Sequence, residues 1–216
     1  MDSEKSAEIN NKYHINDLIE YANHIETLAI SSDDAEGNDE VVFNDSVIHA
    51  SLIMSCILRN SKDISMYCGK FSVFREGFNK KIKEMLDDST NDPYRNTDEY
   101  KNFDPYKKSL EELVNFLQRG GMMRVILVEN PLELKKEPIW GQIEQYVKSG
   151  NLVFYQQNKD SGKLAHFIIG GDRYYRIENN QTERTALCSF YDKNTVATLA
   201  KGFSIIKENS KLIDFN

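Results

Sequence analysis

One short segment, Met123–Glu129, constrains the fold more than any other part of the chain. From Val125 to Val128 its residues are apolar without a break, so a strand formed here presents hydrophobic side chains on both faces. The segment follows directly after Gly120 and Gly121, which end a stretch with helical spacing. A strand that is apolar on both faces is typical of the interior of a helix-covered sheet. The segment therefore predicts an internal parallel strand.

Helical and strand patterns alternate along most of the chain. The spacing of apolar residues predicts helices at 46–60, 74–87, 109–119, 139–149 and 194–207. Short apolar runs predict strands at 63–69, 123–129, 152–156 and 186–191, with a β-hairpin around Gly170 and Gly171. We interpret the polar stretch 87–104 as a loop. The pattern predicts an α/β fold with a mixed, mostly parallel sheet flanked by helices on both faces.

The beginning of the chain is predicted to be distinct from this domain. Residues 13–30 have helical spacing, and an acidic, polar stretch follows at 31–40. Such a helix either caps the main domain or docks a partner protein, and packing on its own domain is the commoner fate. We therefore divide the chain into an N-terminal helix with an acidic linker, 1–45, and an α/β domain, 46–216.

Composition narrows the classes of function. No apolar run approaches the roughly 18 residues that a membrane span needs, and the acidic start is unlike a signal peptide, so we expect a cytoplasmic protein without membrane association. Cys56, Cys68 and Cys188 form no CxxC pair and the histidines show no ligand spacing with them, so we expect no metal and no cofactor. The net charge of −7 opposes generic attraction to nucleic acid, although a local basic patch could survive it.

A lone histidine in the predicted hairpin is the clearest candidate for chemistry. His166 lies on an apolar strand that runs into a glycine turn, Asp172 follows the two turn glycines, and the second strand carries Arg176 and Glu178. Each residue also has a structural interpretation. A histidine on a half-buried strand packs against its neighbours, an aspartate after glycines is a common turn residue, and Arg176 with Glu178 makes a surface ion pair.

Three segments resemble parts of one half of the phospholipase D-like fold. Leu117–Val128 is similar to a helix–Arg–Gly–strand unit of that family. Asn151–Tyr155 resembles the strand that leads into the catalytic hairpin, and Tyr191–Phe203 resembles the final strand and helix. The resemblance covers roughly residues 46–216 and implies a phospholipase D-like fold.

The resemblance also implies roles for the hairpin residues. In that family a His-x-Lys pair is followed, after four residues, by an aspartate; the histidine attacks a phosphodiester and cations stabilise the negative charge that develops. His166 matches the histidine, but Ile168 stands at the lysine position and the aspartate arrives one position early. Lys163, Arg173 and Arg176 are nearby cations that could replace the lysine. The candidate catalytic residues are therefore His166, Asp172, Arg176 and Glu178.

Three functions from different classes fit this sequence. The preferred one is a catalytically defective phospholipase D-like domain kept for binding or assembly, because a lysine is missing beside His166. The second is a metal-independent nuclease or phosphodiesterase with His166 as nucleophile. It requires a homodimer, since the reaction needs a second histidine as general acid and the chain has one motif. The third is an unrelated α/β module that docks a protein partner through its N-terminal helix.

Overall fold

The computed structural model describes residues 14–31, 40–87, 96–158, 164–180 and 185–215. Its elements follow one another in this order: α1 Ile15–Ser31, β1 Val41–Asn44, α2 Val47–Asn60, β2 Asp63–Cys68, a 3-10 turn Ser72–Phe74, α3 Glu76–Asp87, α4 Asp98–Asn102, α5 Pro105–Gln118, β3 Met122–Leu127, a second 3-10 helix Pro131–Lys136, α6 Trp140–Ser149, β4 Leu152–Gln157, β5 Phe167–Gly170, β6 Tyr174–Asn180, β7 Thr185–Ser189, α7 Lys193–Glu208 and β8 Ser210–Leu212.

The strands of the described residues form one sheet in the order β1-β7-β6-β5-β2-β3-β4-β8. The mixed α/β class is confirmed, and the predicted segment 123–129 is an internal parallel strand between β2 and β4. The expectation of a mostly parallel sheet was wrong, because only the β2–β3 and β3–β4 pairs are parallel. The turn between β5 and β6 is tight, and strands joined by a tight turn must run antiparallel.

Helices cover both faces of this sheet, as predicted. Alternate side chains of the central strands belong to two separate hydrophobic clusters. The face covered by α2 and α5 carries Ile64, Met66, Met123, Val125 and Ile168. The face covered by α7 carries Tyr67, Ile126, Phe167, Ile169 and Tyr175. The functional residues discussed below lie on the α2 face.

The first helix caps the domain. Leu18, Ile25 and Leu28 of α1 are buried in the same core as α2. The strand β1, which follows the linker, pairs with β7 at the edge of the sheet. Both elements lie before residue 46, the predicted start of the α/β domain, and both join its core or sheet. Residues 32–39 of the predicted linker lie outside the described residues.

One α-helix, two strands and both 3-10 helices had escaped the sequence analysis. α4 lies inside the stretch predicted as a loop, and Thr97 caps it by accepting a hydrogen bond from the Tyr100 N–H. The strands β1 and β8 were not expected, because four and three residues respectively are too few to show an alternating pattern. The rest of the predicted loop, residues 88–95, lies outside the described part of the chain.

The start of α2 is fixed by two side chains of the segment that follows β1. The Ser46 hydroxyl accepts a hydrogen bond from the His49 N–H at 3.0 Å, which satisfies one free donor of the first turn. The Asn44 side-chain amide donates to the Ser46 carbonyl at 2.9 Å. The edge strand and the central helix are thus joined through a two-residue connection that holds Asn44 beside the sheet.

A close approach between the hairpin and α2 generates the first prediction. A Cβ on Gly170 would overlap the side chains of Ser61 and Ile57, whereas Gly202 in α7 has open space around it. We expect Gly170→Ala to lower the free energy of unfolding by roughly 1–3 kcal/mol through overpacking. The control Gly202→Ala should raise it by roughly 0.5–1 kcal/mol, because alanine favours a helix interior. Urea unfolding measures both, and a Gly170→Ala protein as stable as the wild type would contradict this packing.

Candidate functional site

The register of the hairpin places His166 beside Glu178. Phe167 pairs with Ile177 across β5 and β6, so His166, one residue earlier, lies opposite Glu178. The Glu178 N–H donates to the His166 carbonyl at 2.8 Å and confirms this pairing. Both side chains lie on the α2 face of the sheet, since side chains alternate along a strand.

Four side chains form a continuous hydrogen-bonded chain at this point, which we call the site network: His166, Glu178, Arg176 and Asn44. His166 Nδ1 lies 2.9 Å from Glu178 Oε2. Glu178 Oε1 accepts from Arg176 Nη1 at 3.3 Å. Arg176 donates from Nε at 2.9 Å and from Nη2 at 2.7 Å to the same atom, Asn44 Oδ1. The hairpin is thereby connected to the edge strand and to the start of α2.

Arg176 of this network is buried, and Glu178 and His166 are half-buried. The exposed fraction of the side chain is 9% for Arg176, 22% for Glu178 and 25% for His166. The structural interpretation of Arg176 and Glu178 as a surface ion pair is therefore wrong. A buried guanidinium needs its donors matched by acceptors, and here a carboxylate and an amide oxygen provide them.

The pKa of Glu178 reflects this environment. Burial by itself raises the pKa of a carboxyl group, but the hydrogen bond with His166 and the charge of Arg176 outweigh burial and hold the Glu178 pKa below its ordinary value of 4.5. An ionised carboxylate only accepts hydrogen bonds, so the proton of the 2.9 Å contact belongs to His166 Nδ1. In the neutral imidazole Nε2 is then an acceptor with a free lone pair.

Ile168 occupies the position at which the resemblance expects a lysine. It is 1% exposed and pairs with Arg176 on one side and with Met66 on the other. A cationic group, that of Arg176, lies directly opposite this position on the neighbouring strand. Its guanidinium is directed towards Asn44 and Glu178 instead of standing free.

Three residues of the site network, His166, Arg176 and Glu178, form one wall of a cavity of about 240 Å³, which we call the site cavity. The cavity lies between the sheet and the segments above it, the beginning of α2 and residues 72–78. Its polar wall includes the hydroxyls of Ser46 and Ser72 beside the network. Its apolar wall is formed by Val47, Met54, Met66, Val73 and Phe78.

The charges around the site cavity balance. Among the described residues that line it, Arg176 is the only lysine or arginine and Glu178 the only carboxylate. Cys68 also lines the cavity, but burial raises the pKa of its thiol to about 12, so the sulfur stays protonated and is a poor nucleophile. The charges of these two side chains, Arg176 and Glu178, therefore cancel each other.

The structure does not bring Asp172 to this site. Asp172 is exposed at the tip of the hairpin, just past Gly171, whose φ of 60° makes the turn. The whole of β5 separates it from His166, because a spacing of six residues along an extended strand carries the chain away from its starting point. Arg173 lies at the same tip and stacks on Tyr174 at 5.3 Å. Lys163 lies outside the described residues.

One residue of the network was missed by the sequence analysis. The sequence analysis assigned no functional role to Asn44. It reaches Arg176 because β1 pairs with β7, which in turn pairs with β6. The two residues are 132 positions apart, so a local pattern carries no signal of their contact.

Neither a group of metal ligands nor a membrane-spanning helix is found in the part of the chain that the structure describes. No group of three histidine, cysteine, aspartate or glutamate side chains there is placed to hold a metal ion. No helix there is both long and apolar enough to cross a membrane.

Comparison with known proteins shows a likeness of fold. No protein-family profile and no curated protein sequence matches the chain. Among solved structures, TrmBL2, an archaeal chromatin protein described with a novel mode of DNA binding, is similar with a TM-score of 0.53 and 14% identity, over 92% of this chain and 65% of that one. Phosphatidylserine synthase of Haemophilus influenzae Rd KW20 has a TM-score of 0.50 and 12% identity, over 81% and 39%.

A third similar structure is Nuc, a phospholipase D family member from Salmonella typhimurium, with a TM-score of 0.48 and 10% identity, over 81% of this chain and 96% of that one. The chain spans less than two thirds of the length of TrmBL2 and of the synthase. The chain shares its fold with TrmBL2 and with the synthase, and Nuc, a phospholipase D family member, is among the structures that it resembles.

The lowered pKa of Glu178 generates the second prediction. A carboxylate with a folded pKa below its unfolded value stabilises the protein above that unfolded value, and this stabilisation is lost as the pH falls through the folded pKa. We expect Glu178→Gln to lower the free energy of unfolding by roughly 1–3 kcal/mol at neutral pH, through loss of charge-assisted hydrogen bonds. The difference from wild type should shrink as the pH falls below 4.5.

Urea unfolding at a series of pH values measures this difference. Glu144→Gln is the matched control, because it removes the same charge from an exposed i,i+4 pair with Lys148 far from the site cavity. A Glu178→Gln protein whose deficit stayed constant down to about pH 3 would show that the carboxylate is not held ionised by the network.

Proposed function

We propose that this phospholipase D-like domain is catalytically defective and acts as a binding module, with the site cavity as its binding site. The observation that carries the proposal is that Arg176, the one lysine or arginine among the described residues lining the site cavity, is already paired within the protein. Arg176 is buried, paired with Glu178 and bound by Asn44. A charge already neutralised within the protein is a weak stabiliser of a second negative charge on a substrate.

Phosphodiester cleavage needs a donor that stabilises negative charge and a general acid, and the site network supplies neither in a free form. Negative charge develops on the phosphoryl oxygens in the transition state, and removing one donor that stabilises such charge typically slows a reaction by about 10²- to 10³-fold. Ile168 supplies no donor at the lysine position. A general acid that protonates the leaving group typically contributes a further 10²- to 10⁴-fold, and of the histidines only His166 lines the described site cavity. Both deficits favour binding over catalysis.

The test is an assay of metal-free hydrolysis. Wild type and His166→Ala are compared on bis-p-nitrophenyl phosphate and on single- and double-stranded DNA, with EDTA present. We expect no hydrolysis by the wild type above that of His166→Ala, because the one lysine or arginine among the described residues lining the cavity, Arg176, is already paired. Circular dichroism and thermal unfolding establish that both proteins are folded. Activity that is present in the wild type and lost in His166→Ala would contradict the proposal.

The same assay includes a variant of Lys163, because this lysine precedes the hairpin and lies outside the described residues. If hydrolysis is seen, Lys163→Gln separates two sources of positive charge. Loss of activity in both Lys163→Gln and His166→Ala would assign the missing cation to Lys163. Activity that survives in Lys163→Gln would assign the stabilisation to Arg176.

A second function, a homodimeric metal-independent nuclease or phosphodiesterase, is favoured by one observation. The 2.9 Å contact with Glu178 holds His166 in the tautomer that leaves Nε2 free to attack phosphorus. A dimer would have to supply the second histidine. Sedimentation velocity tests this alternative directly, because it requires a dimer in every sample that hydrolyses substrate, with activity per chain falling on dilution below the dimer dissociation constant.

The partners and the cellular location of the domain are proposed mainly from the sequence. A protein partner bound through α1 would contact its outer surface, since Leu18 and Ile25 are used within the core. The net charge of −7 does not favour nucleic acid as a partner. A cytoplasmic location and a homodimer without activity stay predictions.

A further inference from the structure

We propose that the ligand of the site cavity is a small uncharged molecule, with neighbouring hydrogen-bond donor and acceptor groups at one end and an apolar body at the other. The inference rests on the proposed function, because it names the ligand class of the same site. Four properties of the cavity support it: its volume, its charge, the polarity of one wall and the composition of the other.

The volume limits the ligand to a small molecule. The cavity of about 240 Å³ lies near the lower end of the roughly 300–1,000 Å³ that small-molecule sites occupy. Ser46 at the N-cap of α2, Met54 of α2 and Phe78 of α3 line it together with the sheet residue Met66. A nucleic acid strand or a two-chain lipid is too large for this space, whereas a single aromatic ring with a polar substituent fits.

The charge of the cavity favours an uncharged ligand. The one described cation and the one described carboxylate of its wall, Arg176 and Glu178, are bonded to each other. An anion that entered would lose its hydration and meet a guanidinium that Glu178 already neutralises, and a cation would meet a carboxylate that Arg176 neutralises. A neutral molecule pays neither penalty and still finds hydrogen-bonding partners.

The polar wall offers donors and acceptors side by side. Arg176 has five N–H donors, and three of them bind Asn44 and Glu178. His166 Nε2 is an acceptor once Nδ1 carries the proton, and the Ser72 hydroxyl can serve in either role. An amide or a nucleobase edge, which presents a donor next to an acceptor, complements this arrangement.

The apolar wall complements a flat, hydrophobic body. Met54 and Met66 place two thioethers on the cavity, and Phe78 adds an aromatic ring. Methionine side chains adapt their shape and make favourable contacts with aromatic rings. The cavity is therefore suited to a ligand with one polar edge and a ring or short aliphatic group behind it.

A matched pair of probes tests the ligand class. Benzamide and benzoate have the same number of non-hydrogen atoms and the same ring, but only benzoate is charged at neutral pH. Their affinities for the full-length wild-type protein are measured by ligand-observed NMR titration. We expect benzamide to bind at least about tenfold more tightly than benzoate. The carboxylate of benzoate would lose its hydration and would meet only a guanidinium that Glu178 already neutralises.

A charge variant shows that the preference comes from the network. Glu178→Gln leaves Arg176 without its carboxylate, so the cavity gains a net positive charge. We expect the ratio of benzamide to benzoate affinity to shift by at least about tenfold towards benzoate. Glu144→Gln, which removes an exposed charge away from the cavity, should leave the ratio unchanged. The wild-type comparison stands by itself if Glu178→Gln fails to fold.

The outcomes separate this inference from the proposed function. Benzoate binding as tightly as benzamide to the wild type, or binding of neither probe at millimolar concentration, would overturn the ligand class. Those results would leave the absence of hydrolysis untouched. Hydrolysis that depends on His166 would overturn the proposed function, whichever probe binds better.

Discussion

The burial of Arg176 is the constraint on which the rest of the site depends. A guanidinium that is only 9% exposed must find acceptors within the protein. Glu178 provides one from the same strand, and Asn44 provides the other from the edge strand. Asn44 is available because β1 pairs with β7 and because Ser46 turns the chain into α2. The hydrogen bonds of Arg176 therefore connect the hairpin to the edge strand β1 and, through Asn44, to the start of α2.

The partners that make burial favourable also define the chemistry. Glu178 orients His166 and sets its tautomer, which is the arrangement of a nucleophile. The same carboxylate neutralises Arg176, which is the group that a nucleophilic histidine would need beside it. The site thus combines a prepared imidazole with a cation that is already occupied. Its geometry serves recognition of a polar group better than stabilisation of developing charge.

The sequence predicted the architecture where periodic patterns are long, and failed where they are short. The internal strand at 123–129, the hairpin and the principal helices were recognised, because apolar spacing reports burial directly. β1 and β8 carry four and three residues and show no such pattern. The proportion of parallel pairs was overestimated, since spacing reveals strands but not their neighbours. Of the candidate site residues, His166, Arg176 and Glu178 were predicted from the sequence and are in contact in the structure. Asp172 was predicted but lies away from them. The contribution of Asn44 could be recognised only once the order of the strands was known.

The pairing of Ile168 with Arg176 also limits which side chains position 168 accepts. Residues directly opposite each other on antiparallel strands interact through their side chains, and two like charges in that position destabilise the sheet. A lysine at 168 would place an ammonium group opposite the buried guanidinium. The two positions are therefore energetically coupled: the buried arginine at 176 makes an uncharged residue at 168 the more stable choice.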